Sequence, residues 1–278
     1  MPPRTARGKP VRLALIAAGA ALVIPLLASS GYSSNPPCAA TCVAPSVPHG
    51  AYSTGAGAWP GMHTLRFAFG ISSAYRSELD AAQANGMRAI VYIGGYNKTT
   101  CQFGRDDAWV RSHIAAILGH PAVRFYYIAD EPHISTCPNA PAQIRARSDL
   151  VHTLDPGKPT VVAISQPSEY AAFAGTTDVM ALVVYPCNQT IQGCNWSRIP
   201  SYAAQAEAAG VRHYWGVVQS FGDDYYKVPT TAELQTLLGQ WHATHAEGLW
   251  AYTWNCCGDP ETLENHPELW PSWQSENR

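Results

Sequence analysis

The sequence lacks the short motifs by which several common classes of enzyme are recognised. Neither a GxGxxG pattern nor a P-loop is present, so a nucleotide is not implied, and we expect no cofactor. The absence of a GxSxG elbow argues against a serine esterase of that type. No CxxC, HxxxH or HExxH pattern occurs either, and we therefore expect no metal site.

Charged residues are scarce, at 14% of the chain, and basic residues are concentrated at its start. The first thirty residues hold four of the 18 Lys and Arg residues and no Asp or Glu. Without them, 18 minus 4 leaves 14 basic against 20 acidic residues, a formal charge of −6. A nucleic-acid partner would require a basic surface, so none is expected, and neutral or cationic substrates suit the chain better than polyanions.

Residues 1–30 have the order of a secretory signal peptide. A basic start is followed by an apolar run from Leu13 to Ala28 and then by Ser29 and Ser30. The alternative is an uncleaved membrane anchor, but the run is shorter than the ~20 residues that span a bilayer, and Pro25 interrupts it. We therefore expect cleavage near Ser30 and a secreted, extracellular monomer without stable membrane insertion.

The sequence contains eight cysteines, an even number. In an exported chain such a set is typical of disulfide bonds, with a zinc site as the less favoured alternative. Short spacing favours a local Cys187–Cys194 bridge. The other plausible pairs are Cys38–Cys42, Cys101–Cys137 and Cys256–Cys257.

Residues 31–48 have the composition of a linker, and apolar β-rich runs alternate with helical patterns after them. This alternation predicts parallel strands connected by crossover helices. The eight predicted strands are Ala51–Thr54, Thr64–Phe69, Arg88–Gly94, Val123–Ala129, Thr160–Ile164, Val179–Tyr185, His213–Gln219 and Leu249–Thr253.

Helices are predicted between these strands from apolar stripes with helical spacing, and one of them opens with a capping-box pattern from Thr230 to Glu233. The predicted helices are Ser77–Asn85, Asp107–Leu118, Ala140–Leu154 and Thr231–His245. Together with the chain length, this pattern predicts an α/β fold of the (β/α)8 TIM-barrel type, as a single domain over residues 49–278.

Functional residues of such a barrel lie at the carboxyl ends of its strands. Six of the eight cysteines follow strands three, four, six and eight, where disulfides would crosslink the loops of the active face. Polar and aromatic residues at these ends are candidates for binding a carbohydrate, because sugar rings stack on aromatic side chains. The candidates are Tyr96, Asn97, His133, Tyr185, Gln219, Asp223, Trp254 and Asn255.

The most informative segment is an apolar strand that runs directly into Asp130, Glu131 and Pro132. Burial at the strand end and a neighbouring carboxylate would both raise the pKa of a carboxyl group. A carboxyl with a raised pKa can act as the general acid that protonates a glycosidic oxygen. The alternative interpretation is a surface turn that caps the next helix, and it is less favoured at the end of a barrel strand.

Short motifs follow one another in a defined order over residues 50–258. They are Arg66 in the segment His63–Phe67, Asp130-Glu131-Pro132, Tyr185-Pro186, Gln219-Ser220-Phe221-Gly222, Pro229-Thr230, Glu233-Leu234 and Trp254. In this order the chain resembles clan-A glycoside hydrolases, in particular the barrel hydrolases with a DEP motif on strand four. The resemblance implies that Glu131 is the acid/base, that Arg66 and Tyr185 support the catalytic centre, and that Trp254 forms a sugar platform.

The chain departs from this family at the end of strand seven. Retaining enzymes carry a nucleophilic Glu there, whereas this sequence has Gln219, and an amide cannot form the covalent glycosyl-enzyme. Strand six also ends without a carboxylate. Three explanations are open: Asp130 works with Glu131, Asp223 or Asp224 activates water in an inverting reaction, or the barrel binds glycans without cleaving them.

The sequence thus predicts a secreted glycoside hydrolase that acts on a polysaccharide or cell-surface glycan. Glu131 is its general acid/base, and Asp130 tunes or shares that catalytic role. The alternative is a non-catalytic carbohydrate-binding barrel that has lost its nucleophile. A metal-dependent hydrolase is a third hypothesis, but its only ligands at strand ends would be Asp130, Glu131 and His133, all from one segment.

Overall fold

Eight parallel strands pair side by side and close into a barrel in the computed structural model, which describes residues 47–53 and 55–276. Each strand pairs with its neighbours in sequence, and the first pairs with the last. The strands are β1 (His49–Ala51), β2 (Phe69–Ser73), β3 (Arg88–Tyr92), β4 (Val123–Asp130), β5 (Thr160–Ile164), β6 (Val179–Val184), β7 (Tyr214–Gln219) and β8 (Leu249–Tyr252). The predicted (β/α)8 TIM barrel is confirmed.

Helices surround the barrel and return the chain to the start of the next strand. They are α1 (Ala58–Thr64), α2 (Arg76–Ala84), α3 (Asp107–Ile117), α4 (Ala140–Leu154), the short α5 (Tyr170–Phe173), α6 (Arg198–Ala208), α7 (Thr231–His242) and α8 (Trp270–Glu276). The capping box of α7 is present: Thr230 Oγ1 accepts a bond from Glu233 N at 3.3 Å, and Glu233 Oε2 accepts one from Thr230 N at 2.9 Å.

The core consists of two hydrophobic clusters, because successive side chains of a strand face opposite sides. Alternate strand residues, such as Phe69, Tyr127 and Trp215, form one cluster inside the barrel. The other strand positions pack against the helices. Since both faces of each strand are covered, β6 and β7 are buried at every position, which explains their continuous apolar sequences.

The second strand lies after the segment in which the sequence pattern predicted it. Residues 64–69 contain the end of α1 and a turn, and β2 begins only at Phe69. Trp59 and Met62 of α1 lie so close to Gly70 that a Cβ there would be 2.7 Å from either side chain. β2 therefore contains small residues in place of a continuous apolar run, which conceals it in the sequence. The first strand, predicted as Ala51–Thr54, also lies nearer the amino terminus, at His49–Ala51.

Arg66 does not lie in a barrel strand. It occupies the turn between α1 and β2 with a left-handed φ of 59°, and it is exposed. Because β2 begins after this turn, Arg66 is at the amino-terminal end of the barrel, opposite the strand ends that carry Asp130 and Glu131. The predicted role of Arg66 in the catalytic centre is therefore wrong.

Three disulfide bonds lie in loops at the carboxyl ends of strands. Cys101–Cys137 joins the loops after β3 and β4, Cys187–Cys194 closes the loop after β6, and Cys256–Cys257 follows β8. These three pairs agree with the predicted ones. The predicted Cys38–Cys42 pair, the signal peptide and most of the linker lie outside the described residues. Within residues 47–53 and 55–276, no helix is long and apolar enough to cross a membrane.

Gly216 of β7 tests the packing of the barrel against its helices. A Cβ at this position would lie 2.5 Å from the indole ring of Trp241 in α7. We expect Gly216→Ala to lower the free energy of unfolding by about 1–3 kcal/mol, because the ring would have to move within a packed core. Urea unfolding followed by tryptophan fluorescence measures this change.

Gly239→Ala is the matched control for this variant. Gly239 lies on the exposed side of α7, where an added Cβ would have no neighbour within 4 Å. Alanine should raise the free energy of unfolding by about 0.5–1 kcal/mol there, since glycine is unfavourable inside a helix. A Gly216→Ala protein as stable as its parent would contradict the contact between β7 and α7.

Candidate active site

Strand β4 ends in a carboxylate whose position is set by the strand itself. Asp130 is the last residue of β4 and pairs with Ala163 of β5. The hydroxyl of the fully buried Tyr127 donates a hydrogen bond of 2.6 Å to Asp130 Oδ1. Burial raises the pKa of Tyr127 well above its ordinary value, and Asp130 raises it further. The phenol therefore stays protonated and remains a donor to Asp130.

Glu131 follows in a left-handed backbone conformation, with a φ of 45°. Its backbone N–H donates to the carbonyl oxygen of Ala163 at 3.0 Å, which continues the pairing of β4 with β5 beyond Asp130. The left-handed region costs a non-glycine residue about 1–2 kcal/mol, and such strain is concentrated at functional sites. The Glu131 side chain lines a cavity at the carboxyl end of the barrel.

The surroundings of the Glu131 carboxyl favour its protonated form. The side chain is 28% exposed, and burial is the main reason that the pKa of Glu131 is raised above its ordinary value. The negative charge of Asp130 also raises this pKa. Lys98, whose Nζ lies 3.9 Å from Glu131 Oε2, acts in the opposite direction, as do His133 and the Ser165 hydroxyl. Glu131 therefore retains its proton at a higher pH than a free glutamate does.

Tyrosine side chains form much of the cavity wall. The ring of Tyr52 lies 6.1 Å from that of Tyr127 and 5.4 Å from that of Tyr252, measured between centroids. The rings of Tyr185 and Tyr252 are 5.6 Å apart. Burial raises the pKa of all four phenols. Their hydroxyls are therefore neutral at physiological pH and able to donate or accept hydrogen bonds, while the rings offer apolar faces.

Two further carboxylates line the cavity from the loops after β7 and β8. Asp223 is fastened to its own loop, because its Oδ1 accepts bonds from the backbone N–H groups of Tyr225 and Tyr226 at 2.7 and 2.6 Å. Asp259 follows the Cys256–Cys257 bridge, and its Oδ2 is buried without a hydrogen-bond partner in the described part of the chain. Burial raises the pKa of Asp259, a hydrogen bond with the Tyr252 side chain lowers it, and the charge of Asp223 raises it further.

Together these groups enclose a cavity of about 180 Å³. Its floor includes inward-facing strand residues such as Trp250, and its sides carry tyrosines and acidic groups. The carboxylates that line it are Asp130, Glu131, Asp223 and Asp259. This arrangement combines neutral hydrogen-bonding hydroxyls, ring faces and several acids within one concave surface.

Four of the predicted site residues meet in this cavity: Asp130, Glu131, Tyr185 and Asp223. His133 lies beside them, since its charge lowers the pKa of Glu131, but its Nδ1 is 3.2 Å from Oε2 of the buried Glu169. Asp224, the other loop carboxylate considered as a water activator, is exposed and does not line the cavity.

Two predicted substrate-binding residues, Trp254 and Gln219, are buried in the protein and do not line the cavity. Trp254 is 2% exposed and packs against Trp270 of α8, so it cannot present a platform to a sugar. Gln219 is fully buried, and its side chain bonds both backbone groups of Cys187 and the carbonyl oxygen of Lys227. Sequence position alone could not reveal these orientations, because they depend on the loops and helices that fold over the strand ends.

Three other candidates lie outside the cavity. Tyr96 is buried and donates from its hydroxyl to Gln143 Oε1 at 2.8 Å, which fastens the short hairpin after β3 to α4. Asn97 is exposed, and its Oδ1 accepts two bonds from the turn that follows it. Asn255 lies beyond β8 and does not line the cavity. The structure therefore does not support their prediction as substrate-binding residues.

The cavity also contains residues that were not predicted from the sequence, among them Tyr52, Tyr252 and Asp259. Tyr52 follows β1, a strand whose position was predicted incorrectly. Asp259 lies in the loop after β8, seven residues beyond the last residue of the strand, Tyr252. The sequence did contain one indication of Asp259. It is a carboxylate close to the Cys256–Cys257 pair, and disulfides were expected to hold the loops of the active face.

The fold and cavity can be compared with known proteins. No protein-family profile and no curated protein matches the chain. Among solved structures, it is similar to a candidate alpha-L-fucosidase from Bacteroides thetaiotaomicron VPI-5482, with a TM-score of 0.57 and 11% identity over 84% of this chain and 93% of that one. It is also similar to a GH2 beta-galacturonidase from Eisenbergiella tayi bound to galacturonate, with a TM-score of 0.60 and 14% identity over 81% of this chain and 51% of that one.

A third similar structure is beta-glucuronidase 2 of Bacteroides uniformis, with a TM-score of 0.57 and 14% identity over 74% of this chain and 30% of that one. These structural neighbours are glycoside hydrolases, in agreement with the class that the sequence motifs indicated. At such low identity the similarity shows a shared barrel fold alone.

Asp130 and Lys98 move the pKa of Glu131 in opposite directions, which makes the electrostatics of the cavity testable. Asp130→Asn should lower the pKa of Glu131, because a neighbouring negative charge is removed. Lys98→Met should raise it, because a favourable positive charge is removed. An NMR titration of isotope-labelled glutamate side chains measures both shifts. Shifts of the same sign in the two variants would contradict the described arrangement.

Proposed function

We propose that the protein is a secreted glycoside hydrolase that acts on a polysaccharide or cell-surface glycan, with Glu131 as its general acid. The observation that carries the proposal is a largely buried carboxyl of raised pKa inside a cavity of tyrosines and further carboxylates. Hydrolysis of a glycosidic bond requires one protonated and one ionised carboxyl group. The fold shared with glycoside hydrolases supports this class of reaction.

In the proposed reaction, the Glu131 carboxyl donates its proton to the glycosidic oxygen as the bond from that oxygen to the anomeric carbon breaks. The leaving sugar departs as an alcohol, and positive charge develops on the ring that remains in the cavity. Ionised carboxylates of the cavity stabilise this charge. Water adds to the anomeric carbon and transfers its proton to a second carboxylate, which restores a neutral sugar.

We assign the role of the second carboxylate to Asp259. Its unpartnered, buried Oδ2 is available to accept a proton from water, whereas Asp223 has an oxygen occupied by two backbone N–H groups. Asp130 accepts the hydroxyl of Tyr127, and Asp259 has a hydrogen bond of its own with Tyr252, so it is the unpartnered Oδ2 that distinguishes Asp259. Because Gln219 is an amide bonded to the backbone of neighbouring loops, we propose direct attack by water with inversion rather than a covalent intermediate.

The charge of the cavity supports a preference for neutral or amino sugars. Four carboxylates line it, and the Nζ of Lys98 lies 3.9 Å from Glu131 Oε2. A uronic acid would bring another negative charge among them, at a cost that is large where water is excluded. The names of two structural neighbours refer to uronic-acid sugars, so we propose that this chain differs from them in its substrate.

The disulfides support the proposed secretion. Cys101–Cys137, Cys187–Cys194 and Cys256–Cys257 all lie in loops on the face that carries the cavity. Disulfides persist in oxidising compartments and are rare in the cytosol. A structure in which they hold the loops of the cavity therefore suits an exported enzyme, in agreement with the signal-like order of residues 1–30.

Glu131→Gln removes the transferable proton and keeps the shape of the side chain. We expect it to lower kcat by about 10²–10⁴-fold while the affinity for the same glycan is nearly unchanged, because only proton transfer is lost. The assay measures the release of reducing ends from a panel of neutral, amino-sugar and uronic-acid polysaccharides. The uronic-acid polymers should be the poorest substrates.

Glu264→Gln is a matched control, since Glu264 is exposed and does not line the cavity. It should leave turnover unchanged. If neither the parent protein nor any variant released reducing ends, and the parent and Glu131→Gln bound glycans equally well, the hydrolase proposal would fail. The alternative, a non-catalytic carbohydrate-binding barrel, would then be favoured, in keeping with the amide of Gln219 at the end of β7.

Asp259→Asn tests the second carboxylate, with Asp224→Asn as the control for an exposed aspartate outside the cavity. We expect turnover to fall by about 10²-fold or more in Asp259→Asn alone, because its amide cannot accept a proton from water. NMR of the first product should show an inverted anomeric centre. Full activity of Asp259→Asn, or a product of retained configuration, would contradict the assignment of Asp259 as the second carboxylate.

A further inference from the structure

Two histidines and a glutamate from three separate elements meet at the amino-terminal end of the barrel, opposite the candidate active site. His49 begins β1, His242 is the last residue of α7, and Glu276 belongs to α8. One possible ligand atom of each side chain lies within 4.8 Å of those of the other two. Within residues 47–53 and 55–276, this is the one group of three such side chains with that spacing.

Packing holds the three side chains in place. His49 is 3% exposed, and the centroid of its ring lies 6.1 Å from that of Trp273 and 5.9 Å from that of His242, both edge-on. Nε2 of His242 is in hydrogen-bonding contact with Oε2 of Glu276. His242 is exposed, so the group is covered on the side of β1 and open to solvent on the side of α7.

We propose that His49, His242 and Glu276 bind one Zn²⁺ ion. Two imidazole nitrogens and a carboxylate oxygen form a donor set that zinc accepts, with water as the fourth ligand. Tetrahedral bonds of about 2.0–2.2 Å place ligand atoms about 3.3–3.6 Å apart. The three atoms lie within 4.8 Å of one another, and His242 Nε2 and Glu276 Oε2, now in direct contact, would separate to admit the ion. No short metal motif reveals the site in the sequence, because its ligands come from distant parts of the chain.

His266 shows, within the same protein, a cluster of similar residues that does not suit a metal. Its two ring nitrogens each contact a carboxylate, Glu261 at 2.6 Å and Glu268 at 2.7 Å. Because these carboxylates lie at opposite sides of the ring, a single ion cannot bind the histidine together with both. The ligand atoms of His49, His242 and Glu276 instead all lie within 4.8 Å of one another.

The proposed ion has a structural role. It joins β1, the strand that closes the barrel, to α7 and α8, and it lies at the end of the barrel whose residues contribute to stability rather than catalysis. Zinc bound there would hold α8 against the barrel, since only the folded chain brings the three ligands together.

The experiment uses the full protein, freed of metal by a chelator that is then removed. Titration with Zn²⁺ alone, in competition with a chromophoric chelator, should show one ion bound per chain. Saturating Zn²⁺ should also raise the Tm, because an ion that binds only the folded state stabilises it.

His242→Ala and Glu276→Gln remove ligands that are not part of the core, and each should weaken zinc binding by about tenfold or more and reduce the rise in Tm at a given zinc concentration. Two variants are used so that the result does not depend on the folding of either one. His266→Ala is the matched control and should keep both properties. A parent protein that binds no zinc, or a His242→Ala protein that binds it as tightly as the parent, would overturn the proposal.

Discussion

The pairing of β1 with β8 is the contact on which both ends of the molecule depend. It consists of three residue pairs, from His49 with Leu249 to Ala51 with Ala251. It is extended by hydrogen bonds from Tyr52 N to Ala251 O and from Trp254 N to Tyr52 O, at 2.9 and 2.7 Å.

This closure places residues from opposite ends of the chain side by side. At the carboxyl end it brings Tyr52 next to Tyr252 and completes the cavity wall. At the amino-terminal end it places His49 beside His242 and Trp273. Without it, neither the cavity nor the proposed zinc site would have all of its residues.

The loops around the cavity are held by covalent and side-chain bonds. One disulfide joins the loops after β3 and β4, another closes the loop after β6, and a third precedes Asp259. Gln219 adds a bonded link between the loops after β6 and β7. The residue at the expected position of a nucleophile thus serves to hold the cavity in shape.

Burial and mutual repulsion shape the electrostatics of the cavity. Exclusion of water raises the pKa of Glu131 and Asp259, and each has another carboxylate nearby that adds to the effect. The tyrosine hydroxyls around them remain neutral for the same reason. A cavity of this kind can hold a protonated acid beside ionised ones, which is the combination that glycoside hydrolysis requires.

Local patterns in the sequence were sufficient for the barrel, for the placement of Asp130 and Glu131 at a strand end, and for the Cys187–Cys194 pair, whereas the other two disulfides were only plausible pairs. Apolar runs, helix stops and cysteine spacing are properties of neighbouring residues, so they can be interpreted without the fold. β2 escaped detection because the packing of α1 requires a glycine in it. The misplacement of Arg66 followed directly from that error.

The orientation of side chains around the cavity was decided only by the tertiary structure. Trp254 and Gln219 occupy the predicted strand ends, yet neighbouring helices and loops bury them. Asp259 and the ligands of the proposed zinc site depend on segments that are distant in the chain and meet only when the barrel closes. The sequence therefore determined which types of residue are available for function. Which of them come together was determined by long-range packing, and local sequence patterns do not indicate such packing.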